Sequence, residues 1–301
     1  MAKVICVGHS ALDRVFTVEA WPDSSAKVAA QGYAEVGGGM AANAAVAVAR
    51  LGGDAHFWGP AGEDSVAAVM LAQLRAEGVD VGSLRCYAGM HSSTSAILID
   101  ARGERLIVSY RGSALQAAAD WLPLDEIGSA RALLADVRWP QGALAALPAA
   151  RRAGIPSVLD ADSAEPAALQ ALAGVAEYAV FSESGLSCFA GASDIEAALR
   201  RALALGARVA AVTRGGRGMC WIEAGREQGL QQLAAFPVPV IDTLAAGDVF
   251  HGAFALELAR GAALADAIRF AAAAAAIKCT RPGGRNGSPS RDEVEKFLRE
   301  V

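Results

Sequence analysis

The sequence predicts an α/β protein: a doubly wound, mostly parallel sheet flanked by helices, with a small β-sheet lid. Two observations carry this. Short apolar runs alternate with helical stretches of ten residues or more, the pattern of βαβ units. Two further stretches, 15–35 and 94–111, are strand-like and have no helix after them. Residues 4–8 read as a first strand ending in glycine, and 41–51 as a helix stopped by Gly52-Gly53. A strand at 56–59 precedes a helix at 64–77. Strands follow at 132–136, 157–160, 178–182 and 208–213. Helices are expected at 142–153, 194–205, 247–260 and 264–280. The stretch 94–111 is a hairpin, SAILID and RLIVSY around a turn at 101–104. The chain 1–301 then forms one domain, whose lid comes from inserted segments at about 13–35 and 90–112.

Composition narrows the function. Of 301 residues, 53% are hydrophobic and 20% charged, which excludes a disordered chain. A net charge of −5 argues against a nucleic-acid partner, which calls for a clustered basic face. Cys6, Cys86, Cys188, Cys220 and Cys279 form no CxxC pair, so zinc and dithiol chemistry lack support. Buried thiols in a reducing, cytoplasmic compartment are the expectation. The apolar run 271–277, bracketed by Arg269 and Lys278, is far short of the about 20 residues a membrane span needs.

Three motifs carry chemistry. The first is Asp242-Thr243-Leu244-Ala245-Ala246-Gly247-Asp248, where small residues open a helix. A helix N-terminus offers free N–H groups and positive potential, so a phosphate fits there. Asp248 in the first turn can accept the proton of an attacking hydroxyl. The same residues also describe an ordinary capped helix. The second motif is Gly37-Gly38-Gly39-Met40-Ala41-Ala42-Asn43, where glycines permit close approach to a ligand or simply make a loop. The third is Thr213-Arg214-Gly215-Gly216-Arg217-Gly218 at a strand end, where open α/β sheets bind ligands. Asp160 and Asp162 at another strand end suit water-mediated magnesium binding or turn formation equally. His251 reads as a packing residue behind the helix start.

Together, VGGGMAANAAVAVARLGG, VTRGGRG and DTLAAGDVFHGA make the chain resemble the ribokinase-like (PfkB) carbohydrate kinases over its whole length. The resemblance implies an ATP-dependent sugar kinase that moves the γ-phosphoryl group to a primary hydroxyl. It implies Asp248 as catalytic base and the amides of Ala245, Ala246, Gly247 and Asp248 as the anion hole. Ala245 replaces a family glycine and keeps its N–H; with a negative φ the hole is preserved. Asp13, Gly38, Gly39 and Asn43 match the family's sugar ligands, and Thr213, Gly215 and Gly218 its ATP loop. The family uses Mg²⁺, and some members hold a monovalent cation near the loop that begins at Asp242. Many members carry N-x-x-E on one strand end; here the stretch is Ser182-Glu183-Ser184-Gly185, with Glu183 as the substitute for the metal-organising acid. No metal ligand is assigned.

Within the family the stretches EVGGG, GERLIVSY, LADVRW, FSESGL and KCTRPGGRNGSP resemble sulfofructose kinases. That implies phosphorylation of 6-deoxy-6-sulfofructose to its 1-phosphate. Lys27 and Arg138 match the sulfonate-holding positions, and Ser109 stands where those kinases carry asparagine. Arg111 would share a face with Ser109 and add charge. Without the resemblance, Lys27 is a solvated charge and Arg138 a salt-bridge partner. Alternatives are a fructokinase, ketohexokinase or ribokinase acting on a neutral sugar. A nucleoside kinase fits less well, since only 6% of residues are aromatic. A catalytically silent sugar-binding regulator is the alternative from another class. A homodimer through the lid, which leaves an edge and an apolar face uncovered, completes the expectations.

Overall fold

The computed structural model describes residues 1–21, 27–102, 104–191, 194–226 and 229–301. The first half of the chain runs β1 (Lys3–Val7), β2 (Ala11–Thr17), β3 (Gly32–Gly38), α1 (Met40–Arg50), β4 (Asp54–Gly62), α2 (Ser65–Ala76), β5 (Leu84–Tyr87), β6 (Ser93–Ile99) and β7 (Arg105–Tyr110). It continues through β8 (Ala132–Asp136), α3 (Pro140–Arg152), β9 (Ser157–Ala161), α4 (Pro166–Val175), β10 (Tyr178–Ser182), α5 (Glu183–Ala190) and α6 (Ile195–Leu205). It closes with β11 (Val209–Thr213), β12 (Met219–Glu223), β13 (Gln231–Leu233), α7 (Ala246–Ala259), α8 (Leu264–Cys279) and α9 (Arg291–Glu300).

Every residue of β8 and β9 is buried, as expected of parallel strands covered on both faces. Alternate side chains enter two cores. Val4, Cys6, Leu134 and Val180 pack with α1, α7 and α8 on one face. Ile5, Val7, Leu133 and Leu159 pack with α3, α4 and α6 on the other. The main sheet has the order β13-β12-β11-β10-β9-β8-β1-β4-β5. It is parallel except where β12 and β13 run antiparallel at one edge. From β1 the chain moves outward to β4 and β5 and then returns to β8 on the other flank of β1. The switch therefore lies between β1 and β8, where open sheets form a crevice at their carboxyl ends.

A second sheet of four strands, β3-β2-β6-β7, stands apart from the first. It is built from the two stretches that break the βα rhythm. Residues 22–26 of the first stretch, and Gly103 of the turn at 101–104, lie outside the described residues.

Several elements depart from expectation. The strand at 56–59 extends to Asp54–Gly62, because its early part pairs with β1 and its later part with β5. Helices α4, α5 and α9 are additional to those expected. Yet α9 opens with a capping box, Ser290 and Glu293 satisfying each other's backbone amides. The cysteines are not uniformly buried: all five are free thiols, Cys86 is exposed, and Cys188 and Cys279 are half-buried. Among the described residues no helix is long and apolar enough to cross a membrane.

Candidate active site

The turn from Asp242 into α7 is set by local hydrogen bonds. Asp242 Oδ1 accepts from the Leu244 amide at 2.9 Å, and the Thr243 carbonyl accepts from the Ala246 amide at 3.2 Å. Closing that turn drives Ala245 to φ 64°, the only left-handed residue other than glycine among the described residues. The negative φ on which preservation of the hole was made conditional is therefore not met; Cβ crowding there costs about 1–2 kcal/mol. The expected role of Ala246 also changes, since its amide already serves the turn. Among the described residues the amides of Ala245, Gly247 and Asp248 donate to no protein acceptor. Ala245 gives α7 no side-chain cap, so this helix start is open to an anion.

Asp248 stands in the first turn of that helix and accepts a hydrogen bond from Asn43 Nδ2 of α1 at 2.7 Å. The contact depends on close packing of α1 and α7: a Cβ on Gly252 would lie 2.4 Å from the Ala44 carbonyl oxygen. Burial pushes the Asp248 carboxyl up to about 7, with the Asp160 carboxylate adding to the rise and Asn43 opposing it. Asp160 is itself raised well above the usual range by burial and by Asp136 and Asp162. His251, as its sequence position suggested, lies behind the helix. Its Nδ1 is 2.8 Å from the Gly247 carbonyl oxygen and 3.3 Å from Asp160 Oδ2.

The second sheet contributes the opposite wall. Its register sets Val36, Asp13, Ser95 and Ser109 in one row across four strands. Ser95 lies opposite Asp13 in the register, and its hydroxyl sits 3.2 Å from the Ser109 hydroxyl. Ser95 had no place among the expected site residues, although the alternation of SAILID places it opposite Asp13's strand. The glycines fit against this wall: a Cβ on Gly38 would come 2.5 Å from Asp13 Oδ2, and one on Gly39, at φ 94°, 2.5 Å from the His9 carbonyl oxygen. His9 and Ser10, at the end of β1, were also absent from the expected set. His9 Nε2, Ser10 Oγ and Asn43 Oδ1 are buried without a partner among the described residues. Such orphaned polar atoms are costly unless a ligand satisfies them.

Charge gathers beside them. Burial, with Arg138 and Arg111, pushes the His9 imidazole down to about 3, so it is neutral at neutral pH. The strand end is organised by Asp136, whose Oδ2 accepts the amides of His9 at 2.7 Å and Ala41 at 3.0 Å. Arg138 is held by Asp162 Oδ2 at 2.7 Å and the Ser163 carbonyl at 2.9 Å, so its charge is already shared with a carboxylate. Lys27 is exposed on the connection between β2 and β3.

On the far side of the α7 start lies a cavity of about 590 Å³. Thr213, Gly215, Gly218, Phe250 and Ala276 line it, and Ser182, Ala246 and Gly247 join it to the helix start. Glu183 does not line it. Its carboxylate is clamped by Arg217 Nη2 at 2.5 and 2.6 Å, with Arg214 Nε at 3.4 Å. The substitute role expected for Glu183 therefore gives way to an ion pair across the glycine loop. Ser182, in the asparagine position, caps α5 through the Gly185 amide and donates to Asp162 Oδ1 at 2.8 Å.

Residues 1–291 match the model of the pfkB family carbohydrate kinases. The ribokinase of Bacillus subtilis is 30% identical, over 99% of this chain and 100% of that protein. The fructokinase of Klebsiella pneumoniae is 33% identical over 87% of this chain and 91% of its own. A crystal structure from Agrobacterium tumefaciens, of a protein provisionally called a ribokinase, superposes with TM-score 0.93 at 38% identity, covering 99% of this chain and 98% of that one. The Arabidopsis thaliana ribokinase, solved with ribose and ATP, shares the fold at TM-score 0.87 and 23% identity, with 99% of each chain covered.

Proposed function

Because the chain belongs to the pfkB family of carbohydrate kinases, we propose that Asp248 is the base through which it phosphorylates a primary hydroxyl of a sugar. The observation that carries this is the placement of the Asp248 carboxylate between two features. One is the open α7 amides; the other is the orphaned polar atoms of His9, Ser10 and Asn43.

The chemistry rests on that placement. The sugar lies against Asp13, Gly38, Gly39 and Asn43, where its hydroxyls satisfy the buried atoms. The apolar cavity takes the adenosine of ATP, with Thr213, Gly215 and Gly218 around it. Asp248 accepts the hydroxyl proton as the oxygen attacks the γ-phosphorus; the bond to the β-phosphate oxygen breaks and ADP leaves. The amides of Ala245, Gly247 and Asp248 receive the charge on the transferring group. Magnesium, where it accompanies ATP, would supply neutralisation of the phosphate charge. Among the described residues no group of three or more acidic, histidine or cysteine side chains is arranged to hold a metal ion by itself. Asp160 and Asp162 are the carboxylates that suit such an ion, which takes one or two carboxylates alongside phosphates and water. The second sheet acts as a lid that excludes water. Its exposed β7 side chains Leu106, Val108 and Tyr110, which share one face, suit pairing of two lids in a homodimer.

For the sugar, the reading is 6-deoxy-6-sulfofructose, converted to its 1-phosphate. The field of Arg111 and Arg138 at His9 supports an anionic substituent there. Lys27 and Ser109 complete the set of residues assigned to it. The second reading is a neutral ketose or pentose. Two observations favour it: Asp162 already balances Arg138, and relatives of 30% and 33% identity are called ribokinase and fructokinase. ADP release measured side by side with sulfofructose, fructose, fructose phosphates, ribose and tagatose separates the two. A marked preference for sulfofructose supports the first, and a preference for a neutral sugar replaces it with the second.

A further inference from the structure

Lys278 closes the last turn of α8 and is fully buried. Its ammonium donates to the Asp242 carbonyl oxygen at 2.7 Å and lies 3.2 Å from Asp242 Oδ2. Asp242 in turn ties three parts of the molecule together. Its amide donates to the Cys279 carbonyl at 3.1 Å, Oδ1 takes the Leu244 amide, and Oδ2 takes the Gly284 amide at 3.0 Å. Burial alone would raise this carboxyl, yet the two amides and the Lys278 charge hold it down at about 2. The turn that shapes the anion site thus starts from a carboxylate and a carbonyl joined by a buried ammonium.

Those two oxygens are donors of the kind that a dehydrated monovalent cation beside this loop would take. Such a cation would meet the Lys278 ammonium at hydrogen-bond distance from the same atoms, and two like charges repel strongly inside a protein. The residues present therefore do not fit a bound monovalent cation. We propose that Lys278 stands in its place as a built-in cation that positions the Asp242–Gly247 turn, so that the chain works without potassium or sodium. Lys278 is a positioning residue: it acts through Asp242 and touches no reacting atom. The inference rests on the kinase reading only for its effect on turnover.

The test has two arms. The first uses the unaltered protein and no substrate. Its melting temperature is compared in potassium chloride and tetramethylammonium chloride at matched ionic strength of about 0.1 M, and thallium-205 resonances report any bound Tl⁺. Equal melting temperatures and no bound-thallium signal are expected. A rise specific to potassium, or a bound-thallium signal, overturns the proposal. This arm stands even if no sugar is ever turned over, so failure of the kinase reading is seen separately. The second arm is Lys278→Ala, whose cavity leaves room for an ion. Its ADP release should fall by at least about tenfold in tetramethylammonium and recover in potassium. Undiminished turnover of that variant in tetramethylammonium overturns the proposal.

Discussion

Asn43 Nδ2 and Asp248 Oδ2 meet at 2.7 Å although 205 residues of chain separate them. The contact joins the first helix of the chain to the helix that opens on the anion site. It exists because alanines on α1 and Gly252 on α7 let the two backbones come unusually close. The chemical consequence is a carboxylate of raised pKa, oriented by an amide in the first turn of α7.

Gly252→Ala tests that packing. Its methyl would need the space of the Ala44 carbonyl, which is backbone and has little freedom to yield. The cost should be about 1–3 kcal/mol, read as a lower melting temperature. Because the helices part at the Asn43–Asp248 contact, kcat should fall more than KM for ATP rises.

The pH dependence originates in Asp248. With its carboxyl at about 7, the base form gains occupancy as pH rises through neutrality. The sugar kcat/KM should climb along an acid limb centred near pH 7 and level off above it. Asp160→Asn removes a neighbouring negative charge, so the limb should move to lower pH. The midpoint belongs to the coupled carboxyls together. The sign for stability is opposite. A carboxyl whose folded pKa is raised keeps its stabilising proton below the unfolded value of about 3.9 and loses it as pH rises towards 7. Asp248→Asn should therefore melt above the unaltered protein at pH 8, with the gap closing towards pH 4.

Ala245→Gly should raise stability by about 1 kcal/mol while leaving turnover close to that of the unaltered protein. Glycine adopts φ 64° without Cβ strain, and that relief outweighs its greater freedom in the unfolded chain. Thermal melting and ADP release together check both halves.

Arg138→Gln separates the two substrate readings. If the guanidinium helps hold a sulfonate, KM for sulfofructose should rise by at least about tenfold while that for fructose stays the same. An equal effect on both sugars would assign Arg138 to the Asp162 and Ser163 contacts alone.

Local order was the legible part. The strands at 132–136 and 178–182 match β8 and β10 residue for residue, because uninterrupted apolar runs bounded by polar residues have one reading in an α/β chain. The helix read in DTLAAGD from 247 begins one residue earlier in the structure, at Ala246, since small residues before an apolar run mark its start. The departures are contacts that no local pattern encodes. Lys278 reads in sequence as the charged end of an apolar run; only the fold brings it to Asp242, 36 residues away. Arg138 reads either as a sulfonate holder or as a salt-bridge partner, and only the fold names that partner as Asp162; Glu183 reads as a metal-organising acid until the glycine loop delivers Arg217. The sign of φ at Ala245 depends on how the turn closes, which the residue type does not reveal. The α9 capping box was the opposite case, a readable local signal that had no motif to draw attention to it.

The central claim is that Asp248 takes the proton of the attacking hydroxyl. Asp248→Asn keeps the size and the polar edge that face Asn43 but cannot act as base. The direct measurement is ADP release by this variant with ATP, magnesium and the preferred sugar, alongside the rise in melting temperature that ATP induces. Turnover should fall by about 10²–10⁴-fold while the ATP-induced rise persists. Turnover near that of the unaltered protein would contradict the account.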